Sequence, residues 1–98
     1  MSLTSTVNHG NNNIEIAIEG AFGFNLVQEF RQCYYEKKDF NYTIDFRRVD
    51  YIDSAGLGML LNMQKYLSPN QKITITNTMP QVKKILLISR FDKKFMIE

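Results

Sequence analysis

Of 98 residues, one is cysteine, Cys33, and one is histidine, His9. A lone cysteine excludes an intramolecular disulfide and fits a reducing compartment. No apolar run approaches the roughly 20 residues that cross a bilayer. The first thirteen residues are rich in Ser, Thr and Asn and lack the basic-then-apolar order of a signal peptide, so a cytoplasmic location without membrane insertion is expected. Twelve basic and ten acidic residues leave a net charge of +2, too little to argue for nucleic-acid binding. The basic residues gather toward the C-terminus at Lys72, Lys83, Lys84, Arg90, Lys93 and Lys94, most simply as a solvated surface. Internal repeats and low-complexity linkers are lacking too, so residues 1–98 are expected to form one small domain near the size where burial is only marginally sufficient. An apolar share of 44% and a charged share of 22% are ordinary for a globular protein.

What is present is a change of hydrophobic period along the chain. Leu3 to Val7 reads as a short strand, followed by the turn-prone His9-Gly10-Asn11-Asn12 and a hairpin. From Asn13 to Glu19 the alternation is strict, with Ile14, Ile16 and Ile18 on one face and Glu15, Ala17 and Glu19 on the other, the pattern of a half-buried strand. Gly20-Ala21-Phe22-Gly23 breaks that period. Leu26, Val27, Phe30, Cys33 and Tyr34 then describe a helix from Asn25 to about Lys37, with Asn25 as its N-cap and Cys33 packed in a core. Thr43 to Val49 mixes β-branched and aromatic residues as a strand does. Leu57, Leu60, Leu61, Met63 and Leu67 mark an amphipathic helix from about Ala55 to Tyr66, stopped by Ser68-Pro69-Asn70. Ile73 and Ile75 alternate with Thr74 and Thr76 in a further strand. Pro80 suits the first turn of a last helix with Val82, Ile85, Leu86 and Ile88 buried, and Phe95 to Ile97 forms a final short strand. Strands alternating with helices require crossover connections and a parallel or mixed sheet covered by helices.

The most informative run is Tyr51-Ile52-Asp53-Ser54-Ala55-Gly56-Leu57-Gly58-Met59-Leu60, where an apolar strand hands over to an apolar helix. Ser54 lies at or beside the N-cap, and three readings of it compete. Ser and Asp are both preferred caps. A catalytic nucleophile requires a base and an orienting acid, and the G-x-S-x-G elbow is absent because Ile52 stands where its first glycine belongs. A phosphoserine would place nearly two negative charges at the positive end of a helix dipole, where free backbone N–H groups tolerate them. With no paired carboxylate site, metal-ligand cluster or triad in view, an enzyme is disfavoured. Gly56 and Gly58 alone are weak evidence for nucleotide binding, since a G-x-x-x-x-G-K-[ST] loop is missing.

The stretch Ile52-Asp53-Ser54-Ala55-Gly56-Leu57-Gly58-Met59-Leu60 resembles the signature of STAS domains, the family of bacterial anti-sigma factor antagonists. The order β-β-α-β-α-β-α-β matches that family over nearly the whole chain, and the resemblance implies an α/β fold with a four- to five-stranded mixed sheet and helices packed on it. The family often ends in an additional C-terminal helix, and this sequence stops about where that helix would begin. The resemblance further implies that Ser54 is phosphorylated by a partner kinase, often itself the anti-sigma factor, and reset by a serine phosphatase. The unphosphorylated rim would bind that partner through Asp53, Ser54, Ala55, Gly56, Leu57 and Gly58, with Phe22 and Phe24 as neighbouring aromatics. No cofactor is implied, because ATP belongs to the kinase. A second use of such a domain is as a constitutive interaction subunit, for instance beside a transporter's ATPase, with Ser54 only a cap. Asp53 either presents the serine hydroxyl or caps the helix. Oligomeric state stays open.

Overall fold

The computed structural model describes residues 3–8 and 10–98; His9, expected in the polar loop, lies outside the described residues. Five strands form one mixed sheet in the order β1-β2-β3-β4-β5. They are β1 (Leu3–Asn8), β2 (Asn13–Phe22), β3 (Asn41–Ile52), β4 (Ile73–Thr76) and β5 (Met96–Ile97). β1 pairs antiparallel with β2 as the hairpin requires, and the remaining neighbours are parallel. The helices α1 (Val27–Tyr34), α2 (Ser54–Tyr66) and α3 (Pro80–Ile88) make the three crossovers. Because the strand order advances in one direction, right-handed crossovers carry all three helices over the same face. The burial pattern agrees. Ile14, Ile16, Ile18, Tyr42, Ile44, Phe46, Ile73 and Ile75 are buried, whereas Glu15, Ala17 and Glu19 on the other face are exposed.

Several boundaries differ from the sequence expectation, each for a local reason. β2 runs on through Gly20 to Phe22, and Gly20 supplies the positive φ of 89° that an L side chain rarely adopts. Beside it β3 carries irregularities, pairing Ala17 with Asp45 but Glu19 with Arg48, and Gly20 with Val49 but Ala21 with Tyr51. The extra residues on β3 change its inward spacing from two to three, so Phe46, Val49 and Ile52 all face the core. The first helix does not start at an Asn25 cap. Phe24–Leu26 forms a 3-10 turn, α1 begins at Val27, and no side chain caps it. It ends at Tyr34 rather than Lys37, because Tyr35 turns extended and Glu36 takes a left-handed φ of 60°.

Leu26, Phe30, Cys33 and Tyr34 are buried as the helical period requires, but Val27 is exposed. Burial, only partly opposed by the Ser5 hydroxyl and the charge of Lys37, raises the Cys33 thiol above its ordinary value. In α3, Pro80 occupies the first turn, and Val82 and Leu86 are fully buried. Ile85 and Ile88, expected inside, are exposed instead. An aromatic series through the core links Phe46 to Phe22, Phe30, Tyr34 and Tyr66 by ring contacts at 5.0–5.8 Å, mostly edge to face.

Candidate functional site

Parallel strands β2 and β3 end together, with Phe22 opposite Ile52, and α2 starts immediately beyond. The candidate site therefore lies at the carboxyl ends of the strands, where open α/β sheets present crevices and helix N-termini. Asp53 leaves the strand with extended backbone (φ −116°, ψ −174°) and is the N-cap of α2. Its Oδ1 accepts the backbone N–H of Gly56 at 2.9 Å, while its carbonyl accepts the N–H of Leu57 at 3.0 Å and opens the helical ladder. Of the two cap candidates in the sequence, the structure assigns the task to Asp53. Ser54 is the first residue of the helix, exposed, and its hydroxyl has no hydrogen-bond partner among the described residues.

Two glycines fix the cap. A Cβ on Gly56 would collide with the carbonyl oxygen of Phe22 and approach Ile52 Cγ1 to 2.8 Å, so only glycine lets the first turn of α2 pass the end of β2. A Cβ on Gly23 would stand 2.6 Å from Asp53 Oδ2, so the bare backbone of Gly23 forms one wall of the carboxylate's seat. Gly58 is different: a Cβ there meets nothing within 4 Å. Gly56 thus serves the neighbouring strand, whereas Gly58 faces open space.

The remaining site residues divide by exposure. Ala55, Leu57 and Gly58 are half-buried along the first turns of α2, and Gly56 is buried. Phe22, expected as a partner-contacting aromatic, is a core residue at 0% exposure, its ring edge to face with Phe30 and Phe46. That placement corrects the expectation for its side chain. Phe24, two residues on, is 78% exposed at the start of the 3-10 turn, which the Leu26 N–H to Gly23 carbonyl bond of 2.9 Å holds in place. Phe24 is thus tied through Gly23 to the seat of Asp53. Sequence reasoning missed Gly23, whose only signal was a glycine directly before the turn. Tyr51, 56% exposed at the end of β3, was also not singled out.

The site's chemistry is that of a surface. Among the described residues no group of three or more His, Cys, Asp or Glu side chains gathers to hold a metal, and no helix is long and apolar enough to cross a membrane. The only ion pair among them, Arg48 to Glu19 at 3.6 Å, is exposed at both ends and contributes little. The rim offers a helix N-terminus with a seated carboxylate, a free serine hydroxyl and an exposed phenyl ring.

Comparison with known proteins follows the same lines. The family model described as Mlab, STAS domain, matches residues 5–98. A STAS-domain containing protein of Pseudomonas aeruginosa (strain UCBPP-PA14) is 36% identical over 101 residues, covering 99% of this chain and 99% of that protein. Among solved structures, a putative anti-sigma factor antagonist of Thermotoga maritima superposes with a TM-score of 0.81 at 16% identity, covering 97% of this chain and 84% of that one. The anti-sigma factor antagonist SpoIIAA in its unphosphorylated form gives a TM-score of 0.74 at 16% identity, covering 98% and 86%. At such identities the structural likeness establishes the fold. The family match over nearly the whole chain and the identity to the Pseudomonas relative together make this chain a member of the STAS-domain family.

Proposed function

We propose that the protein is a phosphorylation-controlled anti-sigma factor antagonist whose unphosphorylated form binds an anti-sigma factor that is also a serine kinase. Phosphorylation of Ser54 releases that partner, and a serine phosphatase restores the binding form. One observation carries this reading: Asp53 holds the cap, and the Ser54 hydroxyl stands exposed beside it with no partner among the described residues. A serine needed for capping would be engaged with the backbone. This one is free for a kinase.

The switch is electrostatic. A phosphate on Ser54 brings nearly two negative charges next to the Asp53 carboxylate, on a rim that docks through Ala55, Leu57, Gly58 and Phe24. The first turn of α2 tolerates the charge within the protein through the helix dipole. A partner surface that must be desolvated over the same spot does not. A penalty of several kcal/mol is expected, and every ~1.4 kcal/mol is a factor of ten in affinity. No refolding and no catalysis by this chain are required. The likeness of the fold to anti-sigma factor antagonists supports the same reading.

The test uses two substitutions and a partner captured from the native cells. Ser54→Ala retains binding and resists phosphorylation, whereas Ser54→Asp, with one fixed charge, binds at least tenfold more weakly. Equal affinity of wild type, Ala and Asp forms contradicts the switch and favours a constitutive interaction subunit, for example of a transporter complex.

A further inference from the structure

Charge on this chain is divided along its length. Residues 72–98 hold six Lys and Arg against two acids, Asp92 and Glu98, a net of +4, whereas residues 1–71 hold six against eight, a net of −2. The cationic segment includes α3, the helix that departs most from its expected burial. Ile88 is 70% exposed, Leu87 42% and Ile85 37%. Ile85 and Ile88, three residues apart, share one flank of the helix, Leu87 lies on the other, and Lys84 stands between them. Lys84 is three and four residues from Leu87 and Ile88 on the helix, Lys83 precedes it, and Arg90, Lys93 and Lys94 follow in the turn after the helix. None of the five is in an ion pair among the described residues, where the one pair is Arg48 with Glu19.

We propose that α3 and the turn after it form a peripheral docking surface for an anionic lipid bilayer. Three features favour a bilayer over a protein partner. Four of the five cations are lysine, which protein interfaces deplete while they enrich arginine. The exposed apolar side chains within α3 are Ile and Leu, with Met79 at its N-cap and no aromatic of the kind that dominates protein hot spots. The aliphatic groups also project from two flanks of a helix with a lysine between them. That suits a soft interface in which apolar groups enter the acyl boundary while lysine heads extend to phosphates. Each cation held near an anionic surface raises partitioning about five-fold. Several together with a small apolar contact give reversible, salt-sensitive attachment.

The topology lets this surface act independently of Ser54. Helices in parallel crossovers run opposite to the strands, so the N-terminus of α2 lies at the carboxyl ends of the strands, and the Ile88–Arg90 end of α3 lies at the other end of the sheet. Ile88, Arg90, Lys93 and Lys94 are thus remote from Ser54 along the sheet, whereas Lys83 and Lys84 share its end but sit on a different crossover helix.

Flotation of the full chain with vesicles tests the proposal, using phosphatidylcholine alone against an equimolar mixture with phosphatidylglycerol. Retention on the mixed vesicles at low salt, its loss on phosphatidylcholine and its decline with added salt are expected. Lys83→Gln combined with Lys84→Gln lowers retention by about tenfold or more, and Ile88→Asp lowers it as well. Ser54→Asp leaves it unchanged, which separates this surface from the phosphorylation site. Lys93→Gln with Lys94→Gln, outside the helix, repeats the measurement should the α3 variants fold poorly. Failure to bind mixed vesicles at low salt, equal binding to both compositions, or indifference to the lysine substitutions overturns the proposal; an acidic protein as the true occupant gives the first of these results.

Discussion

Asp53 Oδ1 accepts the Gly56 backbone N–H at 2.9 Å, while the other carboxylate oxygen lies 2.6 Å from where a Cβ on Gly23 would stand. One side chain thus joins the end of β2 to the first turn of α2, and the serine beside it is left without a structural task.

Removing that carboxylate exposes the coupling. Asp53→Ala is expected to lower stability by about 1 kcal/mol, the usual loss for a cap, and Asp53→Asn by less. Gly23→Ala destabilises by pushing the carboxylate off the Gly56 N–H, so its effect should shrink in an Asp53→Ala background. A double-mutant cycle from urea denaturation reads this directly. Additive effects would show that Gly23 and Asp53 act separately.

Gly56 and Gly58, two residues apart in one helix, should respond to alanine with opposite signs. Gly56→Ala meets the Phe22 carbonyl and Ile52 and is expected to lose about 1–3 kcal/mol through overpacking. Gly58→Ala meets nothing and gains about 0.5–1 kcal/mol of helix propensity. Thermal melts of the two variants check the pair. If Gly58→Ala also weakens partner binding, the open space at Gly58 is where the partner approaches.

These glycines mark the limit of what sequence could tell. Alternation at Ile14, Ile16 and Ile18, the four residues of β4, the span of α2 and Pro80 in the first turn of α3 were all legible, because each rests on a period or on one residue's local chemistry. Continuation of β2 through Gly20 was not, since a glycine reads as a break and only the paired strand reveals an irregularity. Choosing Asp53 over Ser54 as the cap was equally out of reach. Both residue types cap well, and the choice turns on where β3 lets go of the chain. Phe22 and Phe24 share a composition and a neighbourhood, yet one turn sends the first into the core and the second to solvent. Ile85 and Ile88 fit a helical period and are still exposed, because the burial centre of α3 lies at Val82 and Leu86.

Arg90 ends α3 with a left-handed φ of 64°, a conformation that costs an L residue about 1–2 kcal/mol and glycine almost nothing. Arg90→Gly is therefore expected to raise stability by up to about 1 kcal/mol, after allowance for the greater freedom of an unfolded glycine. An unchanged or lower urea midpoint would show that the Arg90 side chain contributes more than its backbone strain removes.

Tyr42 predicts the alkaline limb of the stability curve. Burial, with smaller contributions from Cys33, Tyr66 and Tyr34, pushes its phenol well above the ordinary value near 10, and its hydroxyl donates to the Lys37 carbonyl at 2.7 Å. Because the folded-state value is raised, this contribution is complete below the unfolded-state value and is lost as pH climbs above it. Tyr42→Phe should lose about 1 kcal/mol at neutral pH and show a shallower decline between pH 9 and pH 11, roughly bracketing that ordinary phenol value. Urea midpoints for the two proteins across that range provide the check, and parallel declines would contradict it.

The central claim is that Ser54 carries a regulatory phosphate. Intact mass and fragment mapping of the protein purified from its own cells, with and without phosphatase treatment, tests this most directly. A fraction heavier by one phosphate, removed by the phosphatase and mapped to Ser54, is expected. A phosphate mapped elsewhere, or none in any growth condition while the partner remains bound, would contradict it.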